Sequence, residues 1–102
     1  MLTVIETSMF QRYAAAVWDD DERGAFIDWI AENPDAGDVI PGATPLRKVR
    51  WSRSGMGKRG GVRVIYYVTL EDGTISLLVV YSKSKTENLS QAFLRELRKL
   101  AE

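Results

Sequence analysis

Cysteine and histidine are both missing from the 102 residues of this chain. Without cysteine there is no disulfide framework and no thiolate metal site, which fits a reducing compartment. Without histidine the chain lacks the commonest metal ligand and the usual acid or base near neutral pH. Any catalytic chemistry is confined to Lys, Arg, Tyr, Asp, Glu, Ser and Thr. No apolar run approaches the roughly 18 residues of a membrane helix. The opening "MLTVIETSMF" has neither the basic start nor the long apolar stretch of a secretory signal. The expectation is a cytoplasmic protein with no membrane partner. Proline is scarce as well. Pro34, Pro41 and Pro45 all fall in "NPDAGDVIPGATP", which with its two glycines reads as a loop.

Net charge is also absent, with 14 basic and 14 acidic residues, but the cancellation is between unlike segments. Asp19 to Asp38 holds eight acidic residues against one arginine, a balance of −7. Arg47 to Arg63 holds seven basic residues and no acid, a balance of +7. Such asymmetry speaks about partners more directly than the total does. The basic set is Arg47, Lys48, Arg50, Arg53, Lys58, Arg59 and Arg63.

"LTVIE" suits a first strand, and Ser8 suits the cap of a helix carrying Phe10, Tyr13, Ala14 and Val17 at three-four spacing. The acidic run from Asp19 fits the start of a second helix, where the macrodipole favours negative charge. Phe26, Ile27 and Ile30 share a face of that helix, which stops near Asn33 because Pro34 follows. Strands are expected over about 46–53, 61–70 and 75–82, with "EDG" as the turn between the last two. The third, "ISLLVVYS", is almost wholly apolar and reads as a central strand buried on both faces. Ser90 suits the cap of a last helix with Phe93, Leu94, Leu97 and Leu100 as its stripe. This order predicts one α+β domain over residues 1–102. Its curved, mostly antiparallel sheet would pair with two N-terminal helices and a C-terminal one, packed against one face.

Side chains alternate across a sheet. If Val49, Trp51, Val62 and Val64 meet the helices, then Lys48, Arg50 and Arg63 share the other, open face, with Lys83 and Lys85 at its rim. Cations about 6 Å apart repel by roughly 1–3 kcal/mol per pair at effective dielectrics of 20–80. An anionic ligand would cancel that cost, and nucleic-acid backbone is the obvious polyanion. Trp51, Tyr66, Tyr67 and Tyr81 lie in the same region and offer planar faces for bases. The plainer reading is a soluble edge, since charge on an edge strand blocks aggregation. "SGMGKRGG" lacks a Ser or Thr after its lysine and reads as a flexible hairpin loop rather than a nucleotide-binding loop.

"NPDAGDVIPGATPLRKVRWSRSGMGKRGGVRVIYY", followed by "LLVVYSKSKTENLS", resembles the HigB-type branch of the RelE/ParE toxin superfamily, the toxins of type II toxin–antitoxin systems. The resemblance runs through essentially the whole chain in the same element order and is densest at "PLRKVRW", "GKRGGVRVIYY" and "VYSKSK". It implies an mRNA interferase, a small endoribonuclease that cuts translated mRNA in the ribosomal A site. It also implies a cognate antitoxin, usually a helix-turn-helix protein of the HigA type, as partner. By position, the family's basic strand matches Lys48 and Arg50, its central-strand arginine Arg63, its post-strand lysines Lys83 and Lys85, and its glycine-loop lysine Lys58. Where some relatives carry a late tyrosine acting on the 2′-hydroxyl, this chain has Leu89.

The expected catalytic set is therefore Lys48, Arg50, Arg63 and Lys83. Arg47, Arg53, Lys58, Arg59, Tyr67 and Lys85 are expected to bind RNA. Arg50 and Arg63 suit charge stabilisation, because guanidinium matches phosphate bidentately. Lys48 or Lys83 is the candidate acid or base. No cofactor is expected, and no metal, because the basic face offers no carboxylate pair to hold one. Two other functions fit the same basic face: a ParE-like gyrase poison, and a non-catalytic RNA- or protein-binding module. The antitoxin has two sensible routes, an acidic segment over the basic face or docking on the helices.

Overall fold

The described residues form β1 (Thr3–Glu6), α1 (Ser8–Val17), α2 (Asp20–Glu32), β2 (Asp38–Val39), β3 (Arg47–Trp51), β4 (Val62–Thr69), β5 (Thr74–Ser82) and α3 (Gln91–Leu100). The computed structural model describes residues 2–52, 61–82 and 89–101. The five strands form one sheet in the order β1-β5-β4-β3-β2, antiparallel except for the parallel pair β1–β5. A first strand joined to the sheet through a helical crossover pairs in parallel, which accounts for the exception.

Caps set the helix starts. Thr7, one residue ahead of the expected Ser8, accepts from the Phe10 amide at 3.1 Å while its hydroxyl donates to the Leu77 carbonyl at 2.7 Å. The contact with β5 decides between two adjacent hydroxyl residues, and nothing local could have done so. Asp19 and Glu22 form a reciprocal capping box on α2. Ser90 caps α3.

The two cores lie on opposite faces of the sheet. Phe10, Ala14 and Trp18, with Phe26 and Ile30 of α2, pack on Val49, Val62, Val64, Tyr66, Ile75, Leu77 and Val80. Leu94 and Leu97 of α3 pack on Ile65, Leu78, Val79 and Tyr81. This corrects the expectation that all the helices cover one face. The apolar run of β5 already required two covered faces, and Ile75 through Tyr81 are all buried. A register shift beside Ile65 and Tyr66 leaves Leu78 without a partner on β4, so Leu78 and Val79 both reach the α3 side. Helix α3 is held at its end as well: Tyr67 donates its hydroxyl to the Leu100 carbonyl at 3.2 Å, and Arg98 Nε donates to the Thr44 carbonyl at 3.0 Å.

The segment 33–45, which reads as a loop in the sequence, contributes the edge strand β2. Its anchor is Gly37, whose amide donates to Tyr66 Oη at 2.9 Å and whose carbonyl accepts from Arg47 Nη1 at 2.6 Å. Tyr66 in turn donates to the Pro34 carbonyl at 2.8 Å. Burial pushes the Tyr66 phenol above the ordinary tyrosine range, and the Gly37 amide and Arg47 pull it back only partly. Tyr81 is raised by burial too, against the pull of Arg63. Both phenols hold their protons more tightly folded than unfolded. Stability is therefore in full force below the unfolded value near 10 and falls as pH climbs through the folded values. A urea titration at pH 8, 10 and 11 is expected to show a midpoint that drops only at the two higher values. A midpoint flat across that range would mean the phenols ionise as easily folded as unfolded.

Candidate nucleic-acid interface

The register brings the cations together. Arg50 of β3 stands directly opposite Arg63 of β4, and Arg63 directly opposite Tyr81 of β5. The three make one transverse row on the face that also carries α3. One step along, Asp38, Lys48, Ile65 and Val79 form the next row. Lys48 lies two residues from Arg50 and so shares its face. Helix α3 packs on Ile65 of β4 and on Leu78, Val79 and Tyr81 of β5, while Lys48 and Arg50 of β3 keep access to solvent. Arg50 is exposed, and Lys48 and Arg63 are half-buried. Among the described residues, none of the three has an ion-pair partner; the ion pairs there belong to Arg23, Arg47 and Lys99.

Two clefts meet at Lys48. One, of about 440 Å³, is lined by Lys48, Arg50 and Arg63 together with Asp38 and Trp29. The other, of about 380 Å³, runs beside the start of α3 and is lined by Lys48, Ile65, Tyr81, Leu89 and Leu94. Leu89 and Tyr81 thus line the same cleft as Lys48.

Not every expected residue arrives here. Arg47 pairs in register with Tyr66, on the opposite face, and its guanidinium holds the Gly37 carbonyl and lies 3.9 Å from Asp35. The strand alternation places it there, one residue out of phase with Lys48. Tyr67 shares the cationic face but is tied by its hydroxyl to the end of α3. Tyr66 is fully buried, and Trp51 packs edge-on against Trp18 and Phe26, so neither offers a free ring. Arg53, Lys58, Arg59, Lys83 and Lys85 lie outside the described residues. Conversely, Trp29 and Asp38 reach the cleft although the sequence marked neither. Asp38 read as one acid in a loop. Only the docking of α2 and β2 beside β3 places them.

Arg47→Ala is expected to destabilise the fold by about 1.5–3 kcal/mol, the worth of a charge-assisted hydrogen bond to the loop, and to leave nucleic-acid affinity within about twofold of wild type. Chemical denaturation beside an RNA-binding titration reads both. A large affinity loss without destabilisation would move Arg47 into the interface.

The architecture has counterparts among solved structures. The isolated E. coli RelE toxin superposes with a TM-score of 0.61 at 12% identity, covering 98% of this chain and 99% of that one. The chain has the RelE fold. A substituted E. coli RelE in the free state gives 0.60 at 16% identity over 84% of this chain and 87% of that one. A chain of the RelBE2 toxin–antitoxin complex from Mycobacterium tuberculosis gives 0.60 at 18% identity, over 79% of this chain and 96% of that one. No family model matches the chain. In the RelE fold of this chain, the α3 face also carries the cations, and no helix among the described residues is long and apolar enough to cross a membrane.

Proposed function

We propose that this chain is the toxin of a type II toxin–antitoxin pair: an endoribonuclease that cuts mRNA on the ribosome, needs no metal, and is silenced by a cognate antitoxin. The observation that carries the reading is the Arg50–Arg63–Tyr81 row with Lys48 beside it. Three cations from two strands converge on one open cleft, and Arg50 and Arg63 face each other with no acid between them. Like charges directly opposite on a sheet are destabilising, so the arrangement suits a phosphate-binding role. The shared fold with RelE supports it, and the resemblance at "PLRKVRW" favours the HigB-type branch with a helix-turn-helix antitoxin.

Cleavage proceeds by attack of a ribose 2′-oxygen on the adjacent phosphorus. The new bond forms as the bond to the 5′-oxygen breaks, leaving a 2′,3′-cyclic phosphate and a 5′-hydroxyl. The 2′-hydroxyl proton leaves to a base, and one proton reaches the departing oxygen. Arg50 and Arg63 align the phosphate and neutralise the added charge of the phosphorane. Lys48, at the junction of both clefts, is the described candidate for proton transfer, with Lys83 the other. The cleft offers three cations and a single carboxylate, a donor set that disfavours a divalent ion.

Induced expression of wild type and Arg63→Ala, with growth scored and the 5′ ends of cellular mRNA mapped, tests this reading. In-frame mRNA ends that vanish in the variant are the expected result. Growth arrest with intact mRNA and altered DNA supercoiling would instead select the gyrase poison. Binding with no new ends would select a non-catalytic module.

A further inference from the structure

The cleft over the cations has a second wall that the proposed phosphate chemistry does not use. Strand β2 pairs with β3 at Asp38–Lys48 and Val39–Arg47, so among the described residues that edge of β3 has no strand partner from Val49 onward. Helix α2 closes that gap with Trp29. The indole is half-buried, sits 6.0 Å from the Phe26 ring at 45°, and its backbone carbonyl accepts from Asn33 Nδ2 at 2.8 Å. It is a supported aromatic surface lining a cleft whose other walls are Arg50, Arg63, Lys48 and Asp38. At about 440 Å³ the space falls within the usual range for small-ligand sites, about 300–1,000 Å³. The cleft is polarised: guanidinium groups on the sheet, an aromatic side chain on the helix, and one exposed carboxylate on the edge strand.

A nucleotide has the matching polarity, with a charged phosphate at one end and a flat base at the other. We propose that this cleft is a nucleobase subsite, in which Trp29 stacks on a base, Arg50 and Arg63 hold its phosphate, and Asp38 selects bases that carry an exocyclic amino group. The inference rests on the ribonuclease reading and adds a specificity determinant to it. A carboxylate only accepts hydrogen bonds. It accepts from the amino groups of adenine, cytosine and guanine and faces carbonyl oxygens on uracil. Stacking, by contrast, tolerates every base because each has a π-face.

The test uses full-length protein and four short oligoribonucleotides of single-base composition, 2′-O-methylated so that they bind without being cut. Tryptophan fluorescence and a label on the RNA both follow binding. Trp29→Ala is expected to weaken all four by about 5- to 150-fold. Trp29→Phe, which keeps a ring, should recover most of that loss. Wild type should bind the uridine oligomer most weakly, and Asp38→Asn, whose amide can donate to the uracil carbonyls, should narrow the difference by raising uridine affinity. A melt of each variant separates lost stacking from lost folding. If Trp29→Ala and Trp29→Phe bind like wild type while Arg63→Ala does not, the subsite is wrong and the phosphate cradle stands. If Arg63→Ala also binds like wild type, the cradle itself fails. An Asp38→Asn variant with an unchanged base ranking removes the selectivity claim.

Discussion

Replacing Arg63 with alanine is expected to slow mRNA cleavage by about 100- to 1,000-fold and to abolish growth arrest, with the fold intact. Arg63 is the middle member of the row, with Arg50 on one side and Tyr81 on the other. Its strand β4 lies inside the sheet, so its backbone is fixed by β3 and β5 and its guanidinium is presented from a rigid base. A phosphorane carries one more negative charge than the phosphate it comes from, and a donor preplaced for that charge lowers the barrier without reorganising. Arg63→Lys should recover only part of the rate, since an ammonium supplies charge without the two-pronged geometry. Stability should move the other way. Removing one of two opposed cations relieves about 0.2–1 kcal/mol of cross-strand repulsion, so the variant should melt at or slightly above the wild-type temperature. The Tyr81 phenol should also titrate higher, because Arg63 is the group pulling it down. Single-turnover cleavage, a melt and an absorbance titration of tyrosinate read the three effects. A variant that cleaves normally ends the catalytic assignment, and one that is inactive because it melts early leaves Arg63 a structural residue.

Gly37→Ala is expected to cost about 2–5 kcal/mol, although it adds only one methyl group. A Cβ at that position would stand 2.9 Å from the Lys48 backbone carbonyl and 2.9 Å from both Cε1 and Oη of Tyr66. Neither neighbour can yield. One is β3 backbone, and the other is a fully buried ring. The loop must lift instead, and in lifting it surrenders the hydrogen bonds from Gly37 to Tyr66 and from Arg47 to Gly37. Against a total stability of about 5–15 kcal/mol this is a large fraction, with a fall in melting temperature of at least about 8 °C. The cleft should suffer as well, because Gly37 is the residue before Asp38. Gly24→Ala is the matched control: nothing lies within 4 Å of its would-be Cβ, and alanine in mid-helix should stabilise by about 0.5–1 kcal/mol. Calorimetry on the two variants should give shifts of opposite sign. If Gly37→Ala melts with wild type, the close approach does not hold the loop.

Much of the arrangement was legible in the chain itself. Capping residues, the Pro34 stop, the "EDG" turn and strict alternation along β3 and β4 are local signals, and they placed every helix and the four longer strands. The same alternation, with no structure in hand, put Lys48, Arg50 and Arg63 on one face. It also carried a contrary message about coverage. The apolar run of β5 demanded two covered faces while the alternating charge of β3 demanded an open one. Both hold, because α3 packs on β4 and β5 while Arg50 of β3 stays exposed. No residue in α3 announces which face it will take, since an amphipathic stripe specifies burial and not the surface that provides it.

Periodicity and capping thus settled the longer elements and the shared face of Lys48, Arg50 and Arg63, for these depend on neighbours one to four residues away. Contacts across the fold decided the rest. Arg47 became a loop anchor because Gly37 lies beside it, 10 residues away in the chain. Trp29 and Asp38 reached the cleft because α2 and β2 flank the same edge. Such placements depend on which surfaces meet after collapse, and that information is spread over the whole chain rather than written at any one position.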